Sequence, residues 1–344
     1  MSGAPASGPR AMRTHSAPGC RVCGAAGETL YEGLHDLLFG APGRWRMARC
    51  ADGSCGLLWL DPAPLPEDLG LAYERYYTHG SAAGSRGVFE RLLRSWGKQG
   101  YWASRYGYRV RLAGAKRLLA RAAVRSQETR EYLDRLVLMQ PPRPGGRALD
   151  VGCGEGATVE ALATLGWDAE GVDFDAAAVV RAVERGLRVR LGSLEGQHYP
   201  AGHFDVIGMT HVLEHVPDPL ATLRECARLL RPGGQLVLAT PNARSLGHRR
   251  FGRDWRGLEP PRHLQVFTPG ALRRLAERAG FALATLESRT LGAAFASAES
   301  RRIQGATDAR LDDAEARAFA LEEAAAAAVD PWAGEELLLV ATAG

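Results

Sequence analysis

The sequence predicts an α/β protein: a doubly wound parallel sheet preceded by a small cysteine-bearing module. Short apolar runs alternate with segments of helical period from Ala148 onward. A glycine-rich turn, LDVGCGEG at Leu149 to Gly156, joins the first run to the first helix, and four of the six cysteines fall within the first 55 residues. Strand and helix alternation of this kind builds a parallel sheet whose ligands sit at the carboxyl ends of the strands. Two clustered cysteine pairs are what a structural metal requires.

Composition narrows the class. At 344 residues and 46% hydrophobic content, one α/β core with appendages accounts for the chain. No stretch of roughly 18 apolar residues and no compact apolar leader region is seen, so no transmembrane segment and a cytoplasmic location are expected. The net charge is +4, yet residues 86–147 hold 15 Lys/Arg against 4 Asp/Glu. Such a segment is a solvated helix face, or it meets an anionic substrate or a membrane headgroup at the periphery. Aromatics are sparse in it and no nucleic-acid motif is present, so no nucleic-acid partner is expected.

Taken in order, residues 1–19 are rich in Ala, Ser, Gly and Pro without apolar period and read as a disordered tail. Residues 20–62 form a zinc-ribbon-like module, with Cys20-x2-Cys23 and Cys50-x4-Cys55 beside Gly24, Gly53 and Gly56. Each turn points two thiolates at one tetrahedral ion, and Trp45, Met47, Leu57, Leu58 and Leu60 mark flanking strands. So small a module cannot build a sufficient core alone, so structural Zn2+ would stabilise it; four protein ligands leave no open position for catalysis. Residues 63–140 read as a linker and helical region. DPAPLPEDLG is extended, the aromatic cluster Tyr73, Tyr76, Tyr77 and His79 follows, and helical spacing appears at Val88 to Trp96 and Val110 to Val124.

The core spans 141–290. Strands are expected at Ala148 to Val151, Ala169 to Asp173, Arg188 to Leu191, Phe204 to Met209, Gln235 to Ala239 and Ala282 to Leu286. Helices are expected at Glu155 to Leu165, at Ala176 to Arg185, around Leu220 to Leu230, and from the Thr268-Pro269 cap pair to Gly280. A helical insertion fills 291–334, and 335–344 supplies the last strand.

Chemistry concentrates at the glycine turn. Gly152, Gly154 and Gly156 let a ligand approach the backbone, and the following helix offers its amides to an anionic group. Gly152-x-Gly154-x-x-Ala157 with Asp173 about 20 residues on also satisfies a dinucleotide fingerprint, which keeps an NAD-dependent enzyme in view. Either way, Asp173 accepts hydrogen bonds from ribose hydroxyls. Cys153 has no base beside it and reads as a small filler.

Further motifs follow in order: DVGCGEG at Asp150 to Gly156, EGVD ending at Asp173, FDVIGMTHVLEHVPDP at Phe204 to Pro219, LLRPGGQLVLATPN at Leu229 to Asn242, then Trp255-Arg256-Gly257-Leu258 and PPRHLQVFT. Together they resemble the class I S-adenosylmethionine-dependent methyltransferases. The cysteine module with Tyr76, Tyr77 and His79 is similar to the N-terminal part of methyltransferases of sugar and polysaccharide pathways.

That resemblance implies a Rossmann-like seven-stranded methyltransferase sheet with S-adenosyl-L-methionine as donor. It puts the donor's amino-acid end on Gly152 to Gly156, with Asp150 towards its ammonium. Asp173 falls on the ribose, Phe174 beside adenine, Ser193 and Leu194 at the adenine edge, and Thr210 and His211 beside the methyl group. It further implies O-methylation of a glycan, lipid-linked precursor or secondary metabolite. C- or N-methylation of a sugar nucleotide and a non-catalytic partner protein are the alternatives. His211, then His215, then His263 are the candidate bases, and His79 is a candidate cover. His211 to His215 also spells H-x-x-E-H, but Pro217 and Pro219 disfavour the helix a zinc protease needs there.

Overall fold

The computed structural model describes residues 11–74, 88–109, 126–306 and 309–344. Tyr76, Tyr77, His79 and the helix expected at Val110 to Val124 lie outside them.

The chain enters through β1 (Thr14–His15), which pairs antiparallel with β5 (Ala63–Pro64). Residues 11–19 are therefore no disordered tail. Arg13 forks the Asp68 carboxylate at 2.9 and 2.8 Å, and Asp61 accepts the Ala17 N–H at 2.8 Å. These anchors are polar and leave no apolar period in the sequence. β2 (Gly27–Leu34), β3 (Trp45–Cys50) and β4 (Leu58–Leu60) form an antiparallel sheet, with Trp45, Met47, Leu58 and Leu60 buried between them and the core. The proline-rich run after it is not an extended linker, since it folds into β5 and a 3-10 turn at Pro66–Ala72.

Helix α1 (Val88–Tyr106) precedes α2 (Gln127–Leu136), which starts at Ser126, whose side chain accepts the Thr129 N–H. The core then alternates: β6 (Arg147–Val151), α3 (Ala157–Thr164), β7 (Asp168–Asp173), α4 (Ala176–Glu184), β8 (Val189–Leu191), β9 (Phe204–Thr210), α5 (Pro219–Leu229) and β10 (Leu230–Pro241). Asp175 and Asp218 cap α4 and α5 by accepting backbone N–H groups. After α6 (Leu246–Phe251) come β11 (Gln265–Val266), α7 (Pro269–Arg278), β12 (Phe281–Arg289), α8 (Ala293–Ile303), α9 (Ala309–Ala327) and β13 (Glu336–Ala343).

Seven strands make the main sheet in the order β12-β13-β10-β9-β6-β7-β8. It is mixed rather than wholly parallel, because β13 inserts antiparallel between β10 and β12. Nothing in an apolar run such as LLLVA encodes direction; here the helical insertion brings the chain back at the carboxyl end of the sheet. Leu149, Ile207, Leu238 and Leu339 are fully buried along the central strands, which are covered on both faces. The chain order reverses at β6, and such a switch point is where doubly wound sheets take their ligands.

The sequence also conceals how firmly the cysteine module joins the core. β11, out of the PPRHLQVFT stretch, pairs with β4 and completes the module's own four-stranded sheet. At the start of α7, Thr268 caps the helix and donates its hydroxyl to the Cys55 carbonyl. A side chain at Gly270 would collide with the Ser54 carbonyl oxygen, so that contact requires glycine. Arg274 closes the joint on Asp52 at 2.6 Å and Ser54 at 2.5 Å.

Candidate active site

The turn between β6 and α3 holds Gly152, Gly154 and Gly156 at φ of +70°, +52° and +81°. Added side chains at Gly152 and Gly156 would collide with Val212 and Leu187, while at Gly154 nothing lies within 4 Å. The backbone at Gly154 thus faces open space, as a cradle must. Cys153 turns inward, against Gly171, where an added Cβ would meet its sulfur at 2.5 Å; burial pushes its thiol far up. It is a filler.

Two carboxylates flank the cradle. Asp150 is buried, and burial pushes its pKa up to about 7 against a bond from Thr158. Asp173 ends β7; its Oδ2 accepts the Gly154 N–H at 2.7 Å and its Oδ1 the Asp175 N–H at 2.8 Å. Burial raises its pKa, and those amides oppose the rise. Each oxygen keeps a second lone pair, so the group is aimed and still able to accept from a ligand's hydroxyls. Phe174, next along, is 58% exposed. Ser193 is exposed and accepts the Gly196 N–H, whereas Leu194 is core, so only its backbone can meet a ligand.

Thr210 ends β9 and His211 follows at φ +52°. His211 lies 44% exposed, with Nδ1 3.2 Å from Glu214 and Nε2 3.0 Å from Glu336. Burial opposes charge on this ring, but the two carboxylates outweigh it and lift its pKa to about 9. Glu214 is fully buried and also accepts from Thr240 at 2.9 Å; burial would raise it, yet His211 and its neighbours hold it at about 2. At neutral pH His211 is therefore a clamped cation, with both N–H groups spent and no lone pair for a base. Stability drawn from this clamp is fully present below the ordinary histidine pKa and disappears as pH rises through about 9. The wild-type melting temperature should accordingly fall between about pH 6.5 and pH 9, and His211→Gln should flatten that limb.

His215 sits in the following turn, with Nδ1 3.0 Å from both the Arg262 carbonyl and the Tyr73 hydroxyl. His263 is buried behind it, the rings meeting at 4.7 Å, and its Nδ1 bonds to the Gly257 carbonyl at 2.7 Å. Burial pushes His263 down to about 4, against the attraction of Glu259. It is a packing residue out of reach of a ligand. Residues 211–217 are turn and bend rather than helix, as the prolines require, so no protease-like His211–His215 pair forms. Two participants carried no signal as site residues in the sequence: Tyr73, which was only one member of an aromatic cluster, and Glu336, the first residue of the last strand.

The four cysteines do converge. Their sulfurs all lie within 4.8 Å of one another, with Cys20 to Cys55 at 3.7 Å and Cys23 to Cys50 at 3.4 Å. A tetrahedral zinc with Zn–S near 2.3 Å needs sulfurs about 3.8 Å apart, so the donor set fits. Gly24 and Gly56 close the two knuckles, their N–H groups bonding back to Cys20 and Asp52 at 2.8 Å.

A doubly wound sheet with an acidic glycine cradle at its switch point defines a nucleotide-type ligand site. A family profile described as a methyltransferase domain matches residues 123–286. The ubiquinone biosynthesis O-methyltransferase of Thiobacillus denitrificans is 34% identical over 159 residues, 42% of this chain and 68% of that one. Its namesake from Xanthomonas campestris is 44% identical over 107 residues, 29% of this chain and 44% of its own. The chain thus spans less than half the length of that relative. A solved S-adenosylmethionine-dependent methyltransferase from Mesorhizobium loti aligns at a TM-score of 0.44 with 22% identity, covering 60% of this chain and 95% of that one. The chain belongs to the class I S-adenosylmethionine-dependent methyltransferases. Among the described residues, no helix is long and apolar enough to cross a membrane.

Proposed function

We propose that the protein transfers the methyl group of S-adenosylmethionine to an oxygen of a small-molecule or glycan acceptor, a lipid-linked precursor or secondary metabolite, with structural zinc in its cysteine module. The observation that carries this reading is the cradle, with Asp173 held by two amides beside the open backbone of Gly154. Gly152 to Gly156 would take the donor's amino-acid end, Asp150 would face its ammonium, and Asp173 its ribose. The names of the two O-methyltransferase relatives support oxygen as the methylated atom.

In-line transfer forms an O–CH3 bond, breaks the S–CH3 bond and leaves a neutral sulfide, so the main demand on the protein is orientation. A hydroxyl acceptor must also lose its proton. Of the three histidines, His215 is the one suited to take it, because His211 is a cation between two carboxylates and His263 is buried. His211, held between Glu214 and Glu336, would instead fix the loop that carries His215.

Calorimetry with S-adenosylhomocysteine and with NAD, followed by turnover of methyl-labelled donor against acceptor pools, tests the reading. Binding of S-adenosylhomocysteine without binding of NAD is expected. NAD binding alone would return the chain to the dehydrogenase alternative, and donor binding with no turnover in any pool to the non-catalytic one.

A further inference from the structure

We propose that Tyr73 forms a wall of the donor pocket and lies over the sulfonium centre, so that the N-terminal region completes the donor site. This rests on the donor reading above. Tyr73 follows the 3-10 turn at Pro66–Ala72, outside the methyltransferase core, and touches side chains on two of the core's loops. Its ring meets Phe174 edge-on at 5.1 Å, and its hydroxyl lies 3.0 Å from His215 Nδ1. Phe174 directly follows the ribose-binding Asp173, while His215 belongs to the loop at the acceptor end of β9. One side chain therefore spans from the adenosine end to the acceptor end, and the donor's sulfur must lie between those ends.

The span is braced. Arg262 is 1% exposed and donates to the carbonyl of Ala72 at 2.8 Å. The same guanidinium is held by Glu259 at 2.8 Å and Asp36 at 2.9 Å. Asp68, in the same turn, is forked by Arg13. At the far end, the Arg262 carbonyl can only accept, which assigns a proton to His215 Nδ1; the Tyr73 oxygen shares that N–H as a second acceptor. With its oxygen engaged by His215, Tyr73 keeps its ring face for the ligand, and an aromatic face favours a cation over a neutral thioether.

The distinguishing property is selectivity for charge, because S-adenosylmethionine carries the sulfonium and S-adenosylhomocysteine does not. Tyr73→Leu should weaken S-adenosylmethionine about tenfold while weakening S-adenosylhomocysteine about threefold or less, measured by calorimetry on the full chain. Tyr73→Phe keeps the ring and should keep most of the preference. Melting temperature and metal content, unchanged in both variants, certify the fold; should the leucine variant fail to fold, Tyr73→Phe and Tyr73→Trp carry the comparison, the preference persisting in each. Equal losses for the two ligands, no loss for either, or a preference abolished in the ring-retaining variants overturns the inference. A wild-type protein that binds neither ligand overturns the donor reading instead, so the two failures are distinguishable.

Discussion

Asp173→Asn is expected to weaken S-adenosylhomocysteine binding about a hundredfold while leaving the fold intact, the loss corresponding to one or two charge-assisted hydrogen bonds of roughly 1.5–3 kcal/mol each. The carboxylate now accepts the Gly154 N–H on one oxygen and the Asp175 N–H on the other. An amide can satisfy only one of these and sets a donor against the second. The ribose would then lose a charged acceptor, and either the Gly154 or the Asp175 N–H would lose its partner. Asp173→Ala should cost at least as much, since both amides lose their partner. Calorimetry on each variant, with circular dichroism as the fold control, checks this. Wild-type affinity in either variant would show that the ribose lies elsewhere.

The region from Ala148 to Phe281 was legible because its signals are local. Apolar runs bounded by glycine, Thr268 at a helix start, and the glycines of the turn each depend on a few neighbouring residues. The cysteines were legible for the same reason, as two short-range pairs. What escaped is non-local and polar. Glu336 reaches His211 across 125 positions, and that contact converts the leading candidate for the base into a cation. Tyr73 reaches His215 across 142 positions. Neither contact has a period or a motif. The residues before Cys20 looked disordered because Arg13 and Ala17 are held by carboxylates rather than by an apolar face. β10 begins at Leu230 and runs through the RPGG segment, since the bulge between Leu230 and Gln235 keeps both ends paired with β9.

Replacing Cys50 with serine should abolish the zinc binding proposed for the cysteine module and, with it, most of the donor affinity. Structural zinc in small modules contributes about 10–16 kcal/mol of binding free energy, which is folding free energy when the apo module has too small a core. The module's stability does not end at its own boundary. β4 pairs with β11 through Trp59 to Gln265 and Leu58 to Val266. Gln265 in turn donates to the carbonyls of Leu213 at 2.9 Å and Val216 at 2.8 Å, and the Leu264 N–H donates to the Glu214 carbonyl at 2.8 Å. These bonds hold the 211–217 loop from outside, so melting the module frees the loop that carries His211 and His215. Cys226 is equally buried, but it sits in α5 away from the cluster, so Cys226→Ala should keep the metal and isolate the cost of losing a core thiol. Metal content by atomic emission, melting temperature and donor affinity should therefore fall together in Cys50→Ser, and metal content alone should hold steady in Cys226→Ala. Metal-free protein with wild-type melting temperature and donor affinity would break the link between module and loop. The bonds from Gln265 would then be a consequence of the loop's shape rather than its cause.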